Sequence, residues 1–226
     1  FLGVSAQLTP ASYILSKACQ ITGGFGFYSW FGGPHEGDFA LSIGGYHRHY
    51  QPPAHYPQVP RLGFNWQVSD ELSLSGQAYF ALVPSAIMAG GRLEAVWKSD
   101  NIKAWFIADA DFLLAWKPYH YEAEIYVDVG VSYTFNHFGS HTFTADVGAD
   151  LSVWGPDFAG TATIHLAFVS FTISFGPSPS TSGKPIDWTS FKTMLPAEDE
   201  RITFGVAGTA LWMVIARSFG WMTPRC

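Results

Sequence analysis

Charge is the scarcest property of this chain. Asp, Glu, Lys and Arg together make up 13% of its 226 residues, against about 25% in ordinary soluble domains. A surface so thinly charged is either buried against partners or turned in part toward lipid. Basic residues are the scarcer kind: 12 Lys plus Arg stand against 18 Asp plus Glu, a formal net charge of -6. Nucleic-acid affinity rests on basic side chains that displace counterions from phosphates, so no nucleic-acid partner is expected.

Cysteine is nearly absent. Cys19 and Cys226 are the only two, too far apart along the chain for a disulfide framework or a metal-ligand spacing, and they leave the compartment open. Long apolar runs are missing as well. The tail segment "FGVAGTALWMVIA" ends at Arg217, short of the ~20 residues that cross a bilayer as a helix. It is expected to be a buried strand or a docking segment. The sequence has no Gly-x-Ser-x-Gly elbow, Walker loop, His-Glu-x-x-His or dinucleotide glycine pattern, so neither a familiar reaction nor a cofactor is expected. "ITGGFGFY" is glycine-rich but leads into an aromatic strand, which argues against a phosphate cradle. Phe1 stands where an initiator methionine would, as expected of a processed or excised chain.

What the chain does have is sheet-forming residues, with 19 Phe, 23 Gly and 17% aromatics, a mixture that favours tight turns and pleated sheet over helix. Segments of period-two character follow one another between short turns: "RLGFNWQVS", "LSLSGQAYFALV", "AIMAGGRLEAVW", "IKAWFIADADFLLAW", "YEAEIYVDVGVSYTF", "HTFTADVGADLSVW" and "TATIHLAFVSFTISF". From Ala123 to Phe135 one face reads Ala, Ile, Val, Val, Val, Tyr, Phe, and the other carries Glu122, Glu124, Tyr126 and Asp128. A helix does not sort side chains at a period of two. Several segments are about twice the usual five or six residues of a strand.

The expected fold is therefore all-β. It is an antiparallel up-and-down meander of long strands, forming a closed barrel, a partly closed one or a tall twisted sheet, with a short irregular or helical tail. Upstream, "ACQITGGFGFYSWFGG" and "DFALSIGGY" predict a hairpin around "GGPHEGD". "TPASYILSKACQITGG" could start a helix at Thr9 and Pro10, but strand is preferred because aromatic and β-branched residues continue through to Trp30. The meander domain is placed at 1–176. Residues 177–226 are read as a linker, "GPSPSTSGKP", and a docking segment, with "IDWTSFKTMLP" a candidate short helix capped by Asp187.

Two clusters could carry chemistry. On the wet face, Asp109, Asp128 and Asp146, with Tyr79, are candidate ligand-binding residues lining an acidic pocket, and Asp111 and Asp150 lie close by. Like charges opposite one another destabilise a sheet, so solvent, a cation or raised carboxyl pKa values must compensate. The plainer reading is a solvated face. The second cluster is "GGYHRHYQPPAHYP", Gly44 to Pro57. His47 and His49 are two apart and would share one side of a strand, with His55 brought round by Pro52 and Pro53 as a third metal ligand. A cupin-type site would need a glutamate shortly after the second histidine, and Pro53 and Ala54 stand there instead. The alternative is a hydrogen-bonded His-Tyr plug at a strand end.

The phrases "GGYH", "PPAHYPQVPRLGFNWQVS", "AYFALVPSAIMAGGRLEA", "WKPYHYEAEIYVDVGVSYTF" and "IDWTSFKTMLPAEDE" resemble a family of domains of unknown function, number 6603 in that series. Its members are often parts of large β-rich polypeptides of filamentous fungi and bacteria. The resemblance runs from about Leu15 to Glu200. It implies a shared fold and supplies no reaction. It carries over His47, His55, Tyr56, Trp116, Lys117, Pro118, Tyr119, His120 and Tyr121, whereas His49 departs from the pattern. The expectation is a non-enzymatic structural or interaction module with protein partners or self-association. A ligand-binding barrel, possibly an enzyme, is the alternative, and an outer-membrane-type barrel, with membrane contact, the third reading.

Overall fold

The computed structural model describes residues 1–116, 118–136, 139–178, 203–207 and 210–214. The chain divides into two compact units, Phe1–Pro185 and Ile186–Cys226. In the first, thirteen strands form one antiparallel sheet. They are β1 (Leu2–Gln7), β2 (Tyr13–Ile14), β3 (Ser16–Thr22), β4 (Gly24–Ser29), β5 (Phe39–Ile43), β6 (Leu62–Gln67), β7 (Leu72–Val83), β8 (Ala86–Ser99), β9 (Ile102–Trp116), β10 (Tyr119–Asn136), β11 (Ser140–Trp154), β12 (Ala159–Leu166) and β13 (Val169–Phe175). In the second, β14 (Thr203–Ala207) and β15 (Ala210–Val214) pair as an antiparallel hairpin, so "FGVAGTALWMVIA" contributes to two strands rather than one. The helix expected over 186–196 lies outside the described residues. No helix among those described is long and apolar enough to cross a membrane.

β7 to β11 run for 12, 14, 15, 18 and 15 residues, as the alternating pattern predicts. The segment "TATIHLAFVSFTISF" differs, because it turns back at Ala167 and Phe168 into β12 and β13, Leu166 pairing with Val169. No glycine or proline marks that turn. The segment offered as a possible helix start forms β2 and β3. Of the three shapes the sequence leaves open, the chain takes the open one. β1 and β13 end the strand order and do not pair with each other, so the sheet is not closed into a barrel.

The register near β5 holds the main surprise. Ile43 pairs with Phe80 and Leu62 with Ala78, so Gly44 faces Tyr79 and Leu62 takes the next place along the same line. β5 and β6 are one strand, interrupted by residues 45–61. Opposite them, β3 and β4 are likewise one strand bent at Gly23, with Thr22 paired to Gly63 and Phe25 to Ile43. The looped-out segment folds back over one face of the sheet and makes the core there. Tyr46 and Tyr56 of the loop are buried together with Tyr79, Ala81, Val83, Ala86, Met88 and Leu113 of β7 to β9. Tyr46 Oη–H donates to Pro57 O at 3.0 Å and Arg61 Nη2 donates to Tyr46 O at 3.0 Å, bonds that hold the loop to itself.

The alternation does separate two faces. Cross-strand partners share a face, so the rows Gln77, Arg92, Asp109, Tyr126 and Tyr79, Gly90, Asp111, Glu124 lie on the loop side. The opposite face carries no Asp, Glu, Lys or Arg from β7 to β13. It is nevertheless open: Val129 is 48% exposed and Phe143 67%. Beside β2 and β3 that face is hollowed into an apolar groove of about 690 Å³, walled by Ile14, Leu62, Phe64, Ala78, Gly91 and Ile125.

Candidate functional site

The loop lands on the carboxylates of β10. His47, Arg48 and His49 lie along its first turn, where Tyr50 N–H donates to His47 O at 3.0 Å. Beneath them, Glu122 and Glu124 point to the loop side of β10, two residues apart. Arg48 pairs with Glu124 and lies 3.9 Å from Asp111. Part of the compensation the acidic face requires is thus an arginine delivered by the loop. Arg92 adds more from within the sheet, 3.8 Å from Asp109.

His49 Nδ1–H donates to Glu122 Oε1 at 2.9 Å, and His47 Nδ1 lies 3.5 Å from the same oxygen. These three side chains form the cluster of potential metal ligands among the described residues. His120 approaches the other carboxylate oxygen, its Nε2 3.8 Å from Glu122 Oε2. Its Nδ1 is 2.8 Å from Gly155 O, and because a carbonyl only accepts, Nδ1 carries a proton and Nε2 is the nitrogen turned toward Glu122. His47 is 2% exposed. Burial outweighs the nearby Glu122 and Asp111 carboxylates and pushes its pKa down, which keeps the ring neutral. Its Nδ1 accepts from His49 N–H at 3.2 Å, which places its proton on Nε2, a buried nitrogen without a partner.

His55, the third histidine of the sequence motif, is held elsewhere. Its Nε2 is 2.8 Å from Asp38 Oδ2, its ring stacks on His35 at 3.8 Å and it meets Trp30 edge-on. Tyr56 Oη–H donates to Asp38 Oδ1 at 2.7 Å. Asp38 thereby ties the end of the loop to the start of β5. Burial pushes its carboxyl up, but the bonds from His55, Tyr56 and Phe39 N–H outweigh it and hold the pKa below the ordinary value. A depressed folded-state pKa contributes stability that is complete above the unfolded value of ~3.9 and is lost as pH falls through the folded one. Asp38→Asn is therefore expected to flatten the acid limb below about pH 4. Urea unfolding of both proteins at stepped pH measures it, and parallel curves would show that Asp38 carries no such linkage.

Of the four residues expected to line an acidic pocket, all face the loop side, yet only two meet in a cavity. Tyr79 and Asp109 line a hollow of about 100 Å³ with Arg61, Arg92 and Asp111. Tyr79 Oη–H donates to Asp111 Oδ1 at 2.5 Å across Gly90, where a Cβ would come within 2.3 Å of that oxygen. Arg61 lies over the Tyr79 ring, 4.0 Å from its centroid. Burial, then Asp111, push the Asp109 pKa up. Asp128 instead accepts from Trp105 Nε1–H at 2.6 Å, and Asp146 sits further along β11. Neither lines that hollow.

A family model described as a family of unknown function (DUF6603) matches residues 1–214. The chain belongs to this family. No curated protein and no solved structure matches it. Of the positions the resemblance carried over to this DUF6603 member, His47, His55, Tyr56 and His120 all fall in the loop's anchorage. Trp116 Nε1–H donates to Pro84 O at 2.6 Å at the end of β9, and Lys117 lies outside the described residues. Sequence reasoning missed Glu122 and His120 as partners of the histidine motif. The alternation had already placed Glu122 on the loop side of β10, but nothing in the sequence said the loop would reach it.

Proposed function

We propose that the domain is a non-enzymatic interaction module whose working surface is the apolar face of its open sheet, covered by the same face of a second copy. One observation carries this reading. Every exposed large apolar side chain that β8 to β13 contribute among the described residues lies on that face. Phe106, Ile125, Val129, Phe143, Val147 and Phe171 are among them. Monomers rarely leave contiguous apolar patches larger than a few hundred Å² in water. A face without a single charged side chain from β7 to β13 offers no complementarity to a charged partner but is complementary to itself. Two such sheets stacked ~10 Å apart would bury both, and a two-fold pairing of one patch with itself closes without leaving a further copy exposed.

Light scattering on a sizing column in detergent-free buffer tests this. The expected result is a dimer that the pair Ile125→Lys and Val129→Lys converts to monomer. Both side chains are 48% exposed, so their replacement removes little core packing and the circular dichroism should be retained. A wild-type chain that stays monomeric at every concentration would sink the reading. Flotation of that monomer with phosphatidylcholine vesicles would assign the face to lipid instead.

A further inference from the structure

The geometry points to a divalent transition-metal site, of the Zn²⁺ class, built from His47, His49 and Glu122. It lies on the face opposite the apolar surface and does not rest on association. Its ligands come from two elements that the fold, not the local sequence, brings together: two imidazoles from the looped-out segment and a carboxylate from β10.

Ligand spacing is the first argument. Zn–N and Zn–O bonds of ~2.0–2.2 Å in tetrahedral array place neighbouring ligand atoms about 3.3–3.5 Å apart. Glu122 Oε1 stands 2.9 Å from His49 Nδ1 and 3.5 Å from His47 Nδ1. The hydrogen bond between the His49 and Glu122 side chains is the contact that an ion would lengthen, and the His49 proton moves through solvent from Nδ1 to Nε2 when the metal takes its place.

Lone-pair direction is the second. The His47 Nδ1 lone pair points at the His49 backbone N–H, so an ion would take that lone pair in exchange for the hydrogen bond. The bond between His120 Nδ1–H and Gly155 O turns His120 Nε2 toward the other oxygen of Glu122, 3.8 Å away, which leaves Oε1 to the two loop histidines. The third argument is cost. A buried histidine with Nε2–H unsatisfied costs stability that an apolar residue at position 47 would not. A buried Nδ1 that accepts from His49 N–H within 3.5 Å of Glu122 gives that position a reason to be histidine. The missing glutamate of the sequence motif is thus supplied by residue 122.

Titration of the metal-stripped full chain with Zn²⁺ by calorimetry, with Co²⁺ absorption as the geometric readout, tests the assignment. One ion per chain is expected, with tetrahedral Co²⁺ bands. His49→Ala and Glu122→Gln should each weaken binding more than tenfold, and His55→Ala should leave it unchanged. His49 is half exposed, so its truncation keeps the fold, and thermal melting of each variant without metal verifies that. Absence of saturable binding in the wild type would overturn the site. So would wild-type affinity in both His49→Ala and Glu122→Gln, or an equal loss in His55→Ala.

Discussion

Met88→Ala is expected to destabilise the domain by about 2–5 kcal/mol, the range for truncating a long buried apolar side chain, and to lower Tm by roughly 5–15 °C at this chain length. Met88 is fully buried on β8, and its cross-strand partners on the same face are Ala81 and Leu113, 0% and 6% exposed. The loop closes over it from above: the His47 backbone N–H donates to the Met88 sulfur at 3.3 Å. Truncation leaves a cavity and an unsatisfied buried N–H together. Met88→Leu separates the two, since it keeps the volume at a cost below about 1.5 kcal/mol and removes only the sulfur acceptor. Urea denaturation of the three proteins reads out both. If Met88→Ala melted with the wild type, the loop would not be the lid of this core.

That core shows what the sequence could and could not disclose. β7, β9 and β10 are legible from their alternation because a half-apolar strand imposes a period of two on its own residues. The polar and apolar faces are legible for the same reason. Which face is covered is not, since alternation assigns side chains to a side and says nothing of what lies on it. Here the covering comes from residues 45–61, and the apolar face from β8 to β13 remains open. The interruption between Gly44 and Leu62 was equally hidden. Each half looks like a short strand, and only pairing with Ile21, Phe25 and β7 reveals one line. The histidine motif was conspicuous, yet its partner Glu122 is 73 residues beyond His49, a separation that no local spacing rule spans. The turn at Ala167 and Phe168 was missed because it uses none of the residues that ordinarily mark one.

Gly44→Ala is the second large effect expected, and it tests the interrupted strand directly. Gly44 has φ +74°, the left-handed region that favours glycine, where other residues carry ~1–3 kcal/mol of strain. Space is also lacking. A Cβ there would stand 2.4 Å from Ala78 O and 2.8 Å from Leu62 N, both backbone atoms in the β6 and β7 ladder that no rotamer change can move. The loss should therefore reach the top of that ~1–3 kcal/mol range or exceed it. Gly45→Ala is the matched comparison. Its φ is +92°, but its nearest obstacle is Val59 O at 3.4 Å, so strain acts there without collision and the destabilisation should be smaller. Equal losses in urea would mean that the close approach to Ala78 contributes nothing. Gly44 also sets the direction in which the loop leaves the sheet, and hence where His47 and His49 land relative to Glu122. Gly44→Ala should weaken stability and Zn²⁺ binding together, whereas Glu122→Gln should weaken binding alone. A Gly44 variant that lost stability but bound Zn²⁺ normally would show that the loop finds β10 through its own packing rather than through the turn that launches it.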